Sequence, residues 1–193
     1  MDSQPCSHFP PRPTELAQRF LSTLLSSGDY AIDATTGNGH DTLFLAEMVG
    51  PEGRVLAFDV QEAALISARA RIEAAGYGGR VEFFQESHAA MAAHAEDGSI
   101  SAVMFNLGYL PGADHAVATG GDTLAALEAA VRLIKPGGAL SVVCYPGHEG
   151  GDHEAATVEA WMSALPECGW RVVRYGAVGT RRPAPFLLFG TKV

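Results

Sequence analysis

The sequence has little cysteine, no long apolar run and no surplus of positive charge, and each shortage narrows what the chain can be. Its three cysteines, Cys6, Cys144 and Cys168, form no CxxC pair and are too scattered for a zinc site or a dithiol redox centre. They read as reduced thiols of a cytoplasmic protein, since disulfides are rare in that compartment. No apolar stretch approaches the roughly 18 residues a membrane span needs, and the Pro-rich start lacks the apolar core of a signal peptide. Lys and Arg number 13 against 22 Asp and Glu, a formal charge of −9. A general nucleic-acid binder would instead carry a basic surface that replaces phosphate counterions. The charge is unevenly spread, however. Arg171, Arg174, Arg181, Arg182 and Lys192 fall within residues 168–193, which hold no Asp or Glu, and leave an acidic body behind them. Such a basic tail suits RNA docking along one edge, and equally suits plain solvated charge on surface strands.

What is present describes one globular domain. The chain has 193 residues, 47% hydrophobic and 18% charged, enough apolar surface to offset chain entropy. Residues 1–13 are a Pro-rich lead and 14–193 are expected to form a single domain. Thr14 is placed to cap a first helix, in which Leu16, Phe20 and Leu24 recur at helical spacing up to Ser26-Ser27-Gly28. A regular alternation follows, with strands predicted at 30–33, 54–59, 81–84, 100–105 and 140–144 and helices at 41–49, 62–75, 122–133 and 153–165. A short helical stretch is expected at 88–95, a long irregular segment at 106–121 and a tight turn at Lys135-Pro136-Gly137-Gly138. Two final strands, 170–178 and 186–191, are joined by a link too short for a helical crossover. Repeated βαβ units give a parallel sheet covered on both faces, and the closing pair adds one reversed strand. The expected fold is therefore α/β and Rossmann-like: a seven-stranded, mostly parallel sheet with one antiparallel strand and helices on both faces. Ligands of such sheets bind at the carboxyl ends of the strands.

The loop after the first strand reads Asp33-Ala34-Thr35-Thr36-Gly37-Asn38-Gly39-His40-Asp41-Thr42. Gly37 and Gly39 allow the backbone to turn sharply and approach a ligand. A dinucleotide fingerprint would need a third glycine where Thr42 stands, and a helix N-terminus left open to pyrophosphate where Asp41 stands. A nicotinamide-dependent oxidoreductase is thereby disfavoured. Asp33 and Asp41 together favour a phosphate-free, positively charged ligand, and S-adenosylmethionine, with its ammonium and sulfonium, has that character. Asp59, at the tip of the second strand, is placed to accept both hydroxyls of an adenosine ribose or to cap the helix that follows. After the third strand, Ser87 or His88 stands where an adenine edge would lie.

The fourth strand ends in Phe105-Asn106-Leu107-Gly108-Tyr109-Leu110-Pro111, which resembles the Asn-Pro-Pro-Tyr loop of amino-group methyltransferases, with Leu107-Gly108 in place of the two prolines. Methyl transfer to nitrogen is an in-line displacement, so holding a neutral amine in place supplies most of the catalysis and no dedicated base is obligatory. Together with the 33–46 loop, Phe58-Asp59-Val60-Gln61 and Tyr145-Pro146-Gly147-His148-Glu149-Gly150-Gly151, this segment resembles the YtqB/MnmM-like family of class I methyltransferases, long labelled rRNA methylases. The resemblance runs from the first helix to Lys192.

That resemblance implies S-adenosylmethionine as cofactor and, as reaction, N-methylation of the aminomethyl group of 5-aminomethyl-2-thiouridine at the tRNA wobble position. The expected cofactor-binding residues are Asp33, Gly37, Asn38, Gly39, Asp41, Thr42, Asp59, Gln61, Ser87, His88, Asn106 and Gly108. Asn106 and Tyr109 would be catalytic, and the loop from Pro111 to Thr123 would close the site. Tyr109, His148, Arg181 and Arg182 are the candidate substrate contacts, His148 toward the target base or amine, although a loop histidine bonded to backbone fits as well. The run Gly147-His148-Glu149-Gly150-Gly151-Asp152-His153-Glu154 is rich in metal-ligating types, but a flexible Gly pair interrupts it and no metal is expected. One segment departs from the family pattern: Gly179-Thr180-Arg181-Arg182-Pro183-Ala184-Pro185-Phe186 lacks the two asparagines and one of the prolines usual there. The expected partner is tRNA, with no membrane involved, and a homodimer is compatible with the sequence. A methyltransferase acting on rRNA or on a small molecule would share the cofactor site and differ only in its substrate surface.

Overall fold

The computed structural model describes residues 10–108, 120–148 and 150–193. Seven strands form one sheet: β1 (Tyr30–Asp33), β2 (Arg54–Phe58), β3 (Val81–Phe84), β4 (Ile100–Leu107), β5 (Ile134–Cys144), β6 (Trp170–Gly176) and β7 (Phe186–Lys192), in the order β3-β2-β1-β4-β5-β7-β6. Every pairing from β3 to β5 is parallel, and β7 runs antiparallel to both its neighbours. The expected single reversed strand is therefore β7. Among the described residues five α-helices cover the sheet: α1 (Pro13–Leu21), α2 (His40–Met48), α3 (Glu62–Ala74), α4 (Gly120–Leu133) and α5 (Gly151–Ala164).

Side chains along each strand alternate between two cores, as the twofold strand period requires. Ala31, Val55, Ala57, Met104 and Val143 pack beneath α1, α2 and α3 through Ala17, Leu21, Leu45 and Ile72. Ile32, Phe58, Val103, Phe105 and Val142 face α4 and α5 through Leu127, Ala130, Val158 and Met162. With both faces buried, the strands read as almost continuous apolar runs. The alternation also decides which face each residue at a strand end serves: Asp33 and Asn106 project with the first set, Phe105 with the second.

Three local expectations are corrected. Helix α1 is capped by Arg12 rather than Thr14: Pro13 takes the first helical position, where a missing N–H costs nothing, and the Glu15 carboxylate reaches back to the Arg12 N–H at 3.3 Å. The turn at Lys135–Gly138 lies inside β5 rather than before it. Ile100 pairs with Ile134 but Ala102 with Ala139, so the extra residues, including Gly137 at φ +78°, stand out of the ladder as a bulge. Finally, β4 continues through Asn106 and Leu107, which pair with Val143 and Cys144, instead of giving way to a loop at 106. Asn106 is thus a strand residue, held by the ladder. Among the described residues no helix is long and apolar enough to cross a membrane.

Candidate active site

The carboxyl ends of β1, β2 and β4 meet around the glycine loop. Gly37 and Gly39 both take positive φ, +48° and +77°. At Gly39 a Cβ would sit 2.8 Å from the Cα and Cβ of Ala68, so a side chain there would push α2 off α3. The loop is tied down by the Thr36 N–H to the Phe58 carbonyl at 3.0 Å and by the Arg71 guanidinium to the Asn38 carbonyl at 2.8 Å.

Three carboxylates surround this turn. Asp59 accepts the Gly37 N–H on Oδ2 at 2.8 Å and the Gln61 N–H on Oδ1 at 2.9 Å, which fixes its plane and leaves each oxygen a further lone pair. Gln61 is the N-cap residue of α3. Asp33 is fully buried, with Oδ2 accepting the Thr42 hydroxyl at 2.6 Å and Oδ1 the Thr35 N–H at 3.1 Å. Thr42, itself fully buried, uses its hydroxyl in this bond, which gives a structural reason for its standing where a dinucleotide fold has glycine. Asp41 accepts the Gln18 side-chain amide on Oδ1 at 2.6 Å and the Asn106 Nδ2 on Oδ2.

Burial, followed by the charge of Asp41, raises the Asp33 carboxyl from 3.8 to about 7, against the opposing bonds from Thr42 and Thr35. The folded state keeps this proton where the unfolded chain has lost it. The contribution to stability is therefore full below pH 3.8 and is lost as pH rises toward about 7. Asp33→Asn, similar in shape but without a titrating group, is expected to gain stability relative to the parent as the pH is raised across that window. Denaturation curves of the two proteins that stayed parallel over the window would refute the assignment.

Asn106 is held at two points, its backbone N–H donating to the Thr35 hydroxyl at 2.7 Å and its Nδ2 to Asp41. Its Oδ1 is buried and has no hydrogen-bond partner among the described residues. Beyond it, Gly108 lies against the Tyr145 ring, 3.0 Å from where a Cβ would stand. Burial, then the charge of Asp41, raises the Tyr145 phenol, so it remains a neutral donor. On the opposite face His88 bonds through Nδ1 to the Ala34 carbonyl at 3.2 Å and meets the Phe105 ring edge-on. Burial lowers its imidazole below the usual value, leaving a neutral ring whose buried Nε2 has no bond among the described residues. Ser87 caps the short helical turn at 88–93 and reaches the Asp122 carboxylate at 3.4 Å.

Of the substrate candidates, His148, Arg181 and Arg182 lie along the same rim. His148 lies against Gly151, at the start of α5. The loop between β6 and β7 carries the exposed Arg181 and Arg182 and comes within 3.6 Å of Gly147 through Pro183, measured from the position a Gly147 Cβ would take. Beside Tyr145 a groove of about 740 Å³ opens between the chain entering α1 and this loop, walled by Pro11, Pro13, Tyr145, Tyr175, Val178 and Pro185. Tyr109 and residues 111–119 of the expected closing loop lie outside the described residues. Gln18, Thr35 and Tyr145 were not foreseen from sequence. Gln18 carries no motif, and its partner is 23 positions away.

A sheet of this order, with a glycine loop, a carboxylate at the tip of β2 and an Asn at the tip of β4, defines a class I methyltransferase. The sequence model of the family described as "Putative rRNA methylase" matches residues 55–190, and the chain belongs to that family. It is 40% identical over 187 residues to "tRNA (mnm(5)s(2)U34)-methyltransferase, chloroplastic" of Arabidopsis thaliana, covering 91% of this chain and 68% of the plant protein. Among solved structures it resembles an rRNA-methylase-type protein of Clostridium thermocellum, with a TM-score of 0.90 and 32% identity over 95% of this chain and 98% of that one. A methyltransferase-type protein of Streptococcus mutans, solved in complex with SAH, has a TM-score of 0.85 and 34% identity over 95% and 99% of the two chains.

Proposed function

We propose that this chain uses S-adenosylmethionine to methylate the exocyclic amine of 5-aminomethyl-2-thiouridine at the wobble position of tRNA, with residues 14–193 acting as one cytoplasmic catalytic unit. The observation that carries the reading is the Asn106 amide: its Oδ1 is buried and has no hydrogen-bond partner among the described residues, and its Nδ2 is held by Asp41, at the strand end next to the glycine loop. The name of the plant relative and its 40% identity support tRNA as the substrate.

The residues present fit the cofactor. Asp41 and Asp59 beside the loop suit a cationic ligand without phosphate, and Asp59 is pre-set by two N–H bonds to take a vicinal diol with its free lone pairs. When bound, S-adenosylmethionine supplies an electrophilic methyl group. Asp59 would hold the ribose, the backbone at Gly37–Gly39 would admit the chain of the ligand, and the neutral His88 would offer an acceptor nitrogen. Asn106 Oδ1 accepts an N–H of the incoming amine and so aims its lone pair, while the Tyr145 ring beside Gly108 shields that space from water.

Arg181 and Arg182 on the rim loop would bind the phosphate backbone. The double variant Arg181→Ala/Arg182→Ala is expected to weaken tRNA binding and to reduce its logarithmic salt slope by about 1 to 2, with cofactor affinity retained. A salt slope equal to that of the parent protein would remove these residues from the RNA surface. The reading as a whole is tested by offering labelled S-adenosylmethionine with tRNA, rRNA and free nucleoside in parallel. Label in tRNA alone is expected, and label confined to rRNA would assign the enzyme to the substrate that its family description names.

A further inference from the structure

The two ends of an asparagine amide are nearly the same shape and opposite in function, since one donates two hydrogen bonds and the other accepts. Which end faces the reacting space decides whether Asn106 can receive an N–H or can only offer one. A carboxylate breaks this symmetry because it is acceptor-only: with Nδ2 toward it the amide makes a charge-assisted bond, and with Oδ1 toward it two sets of lone pairs oppose each other. Asp41 stands at that position, 65 residues away in sequence and only 9% exposed, with its second oxygen held by Gln18 of α1 at 2.6 Å. The backbone of Asn106 is fixed separately by Thr35 and by the β4–β5 ladder, so the side-chain amide is the one rotatable part of the residue left to set.

We propose that Asp41, steadied by Gln18, is a positioning residue that locks the Asn106 amide with Oδ1 toward the methyl acceptor, and so restricts the site to nucleophiles that bear a hydrogen-bond donor, as a primary amine does. The inference rests on the reading of Asn106 as the residue that receives the amine. It gives Asp41 a task within the protein itself, since its Oδ2 takes the Asn106 Nδ2 while its Oδ1 takes the Gln18 amide. It also gives α1, which lies outside the βαβ frame, a direct link to the reactive strand end.

The test uses the full chain with Asp41→Asn, Asp41→Glu and Gln18→Leu. The side-chain amide signal of Asn106 is located by its loss in Asn106→Asp and followed by nitrogen-edited NMR without substrate. In Asp41→Asn this signal is expected to move and its hydrogens to exchange faster with water. Gln18→Leu should give a smaller change in the same direction, and keeps the test decisive if Asp41→Asn does not fold. With tRNA and cofactor, kcat of Asp41→Asn should fall by roughly tenfold to a hundredfold while the Kd for S-adenosylhomocysteine stays within about twofold, and Asp41→Glu should recover part of the loss. An Asn106 signal unmoved in both Asp41→Asn and Gln18→Leu would overturn the proposal. So would a loss of S-adenosylhomocysteine affinity matching the loss of kcat, because Asp41 would then be a cofactor ligand. If the parent enzyme methylates no tRNA, the functional reading fails, and the NMR signal still decides whether Asp41 sets the amide.

Discussion

Replacing Asn106 by alanine is expected to lower kcat on tRNA by roughly a hundredfold to a thousandfold, while the Kd for S-adenosylmethionine stays within about twofold. The effect is large because one atom, Oδ1, is the only buried acceptor of that strand end without a partner among the described residues. The backbone N–H that holds the strand to Thr35 is unaffected by the change, so the β4 ladder and the glycine loop should persist. Single-turnover kinetics with calorimetric titration of the cofactor separates the two quantities. Equal losses in kcat and cofactor affinity would make Asn106 a cofactor ligand, and an unchanged rate would remove it from the reaction.

Asp59→Ala should show the reverse pattern. A vicinal diol held by a carboxylate makes two charge-assisted hydrogen bonds, each contributing about 1.5 kcal/mol or more, so cofactor affinity is expected to fall by about a hundredfold or more. The variant also leaves the Gly37 and Gln61 N–H groups without their acceptor, which loosens the loop the cofactor must cross. At saturating cofactor, turnover should return to within several-fold of the parent value, since Asp59 touches no reacting atom. Isothermal titration reads the first effect and rate measurements at raised cofactor concentration read the second. A variant that bound the cofactor normally would show that the β2 tip carries no ribose.

Most of the frame was legible in the sequence because it depends on local signals. Apolar runs of four to eight residues separated by helical periods specify βαβ units, and the short 177–185 link forces β7 to reverse. The place of Asp59 at a strand tip was legible because it follows from the apolar run before it, whereas the Gly37 N–H it accepts from, 22 residues away, was not. The connections across the site were not. The pairs Gln18–Asp41, Asp41–Asn106 and His88–Ala34 span 23, 65 and 54 residues, and no periodicity reports a contact between side chains on different elements. Thr42 shows the difference. Its departure from a dinucleotide fingerprint was plain, while its reason, a hydroxyl directed at the buried Asp33, appears only when β1 and α2 are packed together. The β5 bulge was missed for a related cause: Pro136-Gly137-Gly138 carries ordinary turn chemistry, and only pairing with β4 keeps it inside a strand.

Nucleoside mass spectrometry gives the most direct test of methyl transfer to the wobble amine. Transfer RNA carrying 5-aminomethyl-2-thiouridine is incubated with the enzyme and methyl-labelled S-adenosylmethionine, digested to nucleosides and separated. This nucleoside should be consumed and one labelled methyl should appear on its aminomethyl nitrogen, with Asn106→Ala giving little product under the same conditions. An unconsumed 5-aminomethyl-2-thiouridine together with label in another nucleoside, or in rRNA, would contradict transfer to that amine.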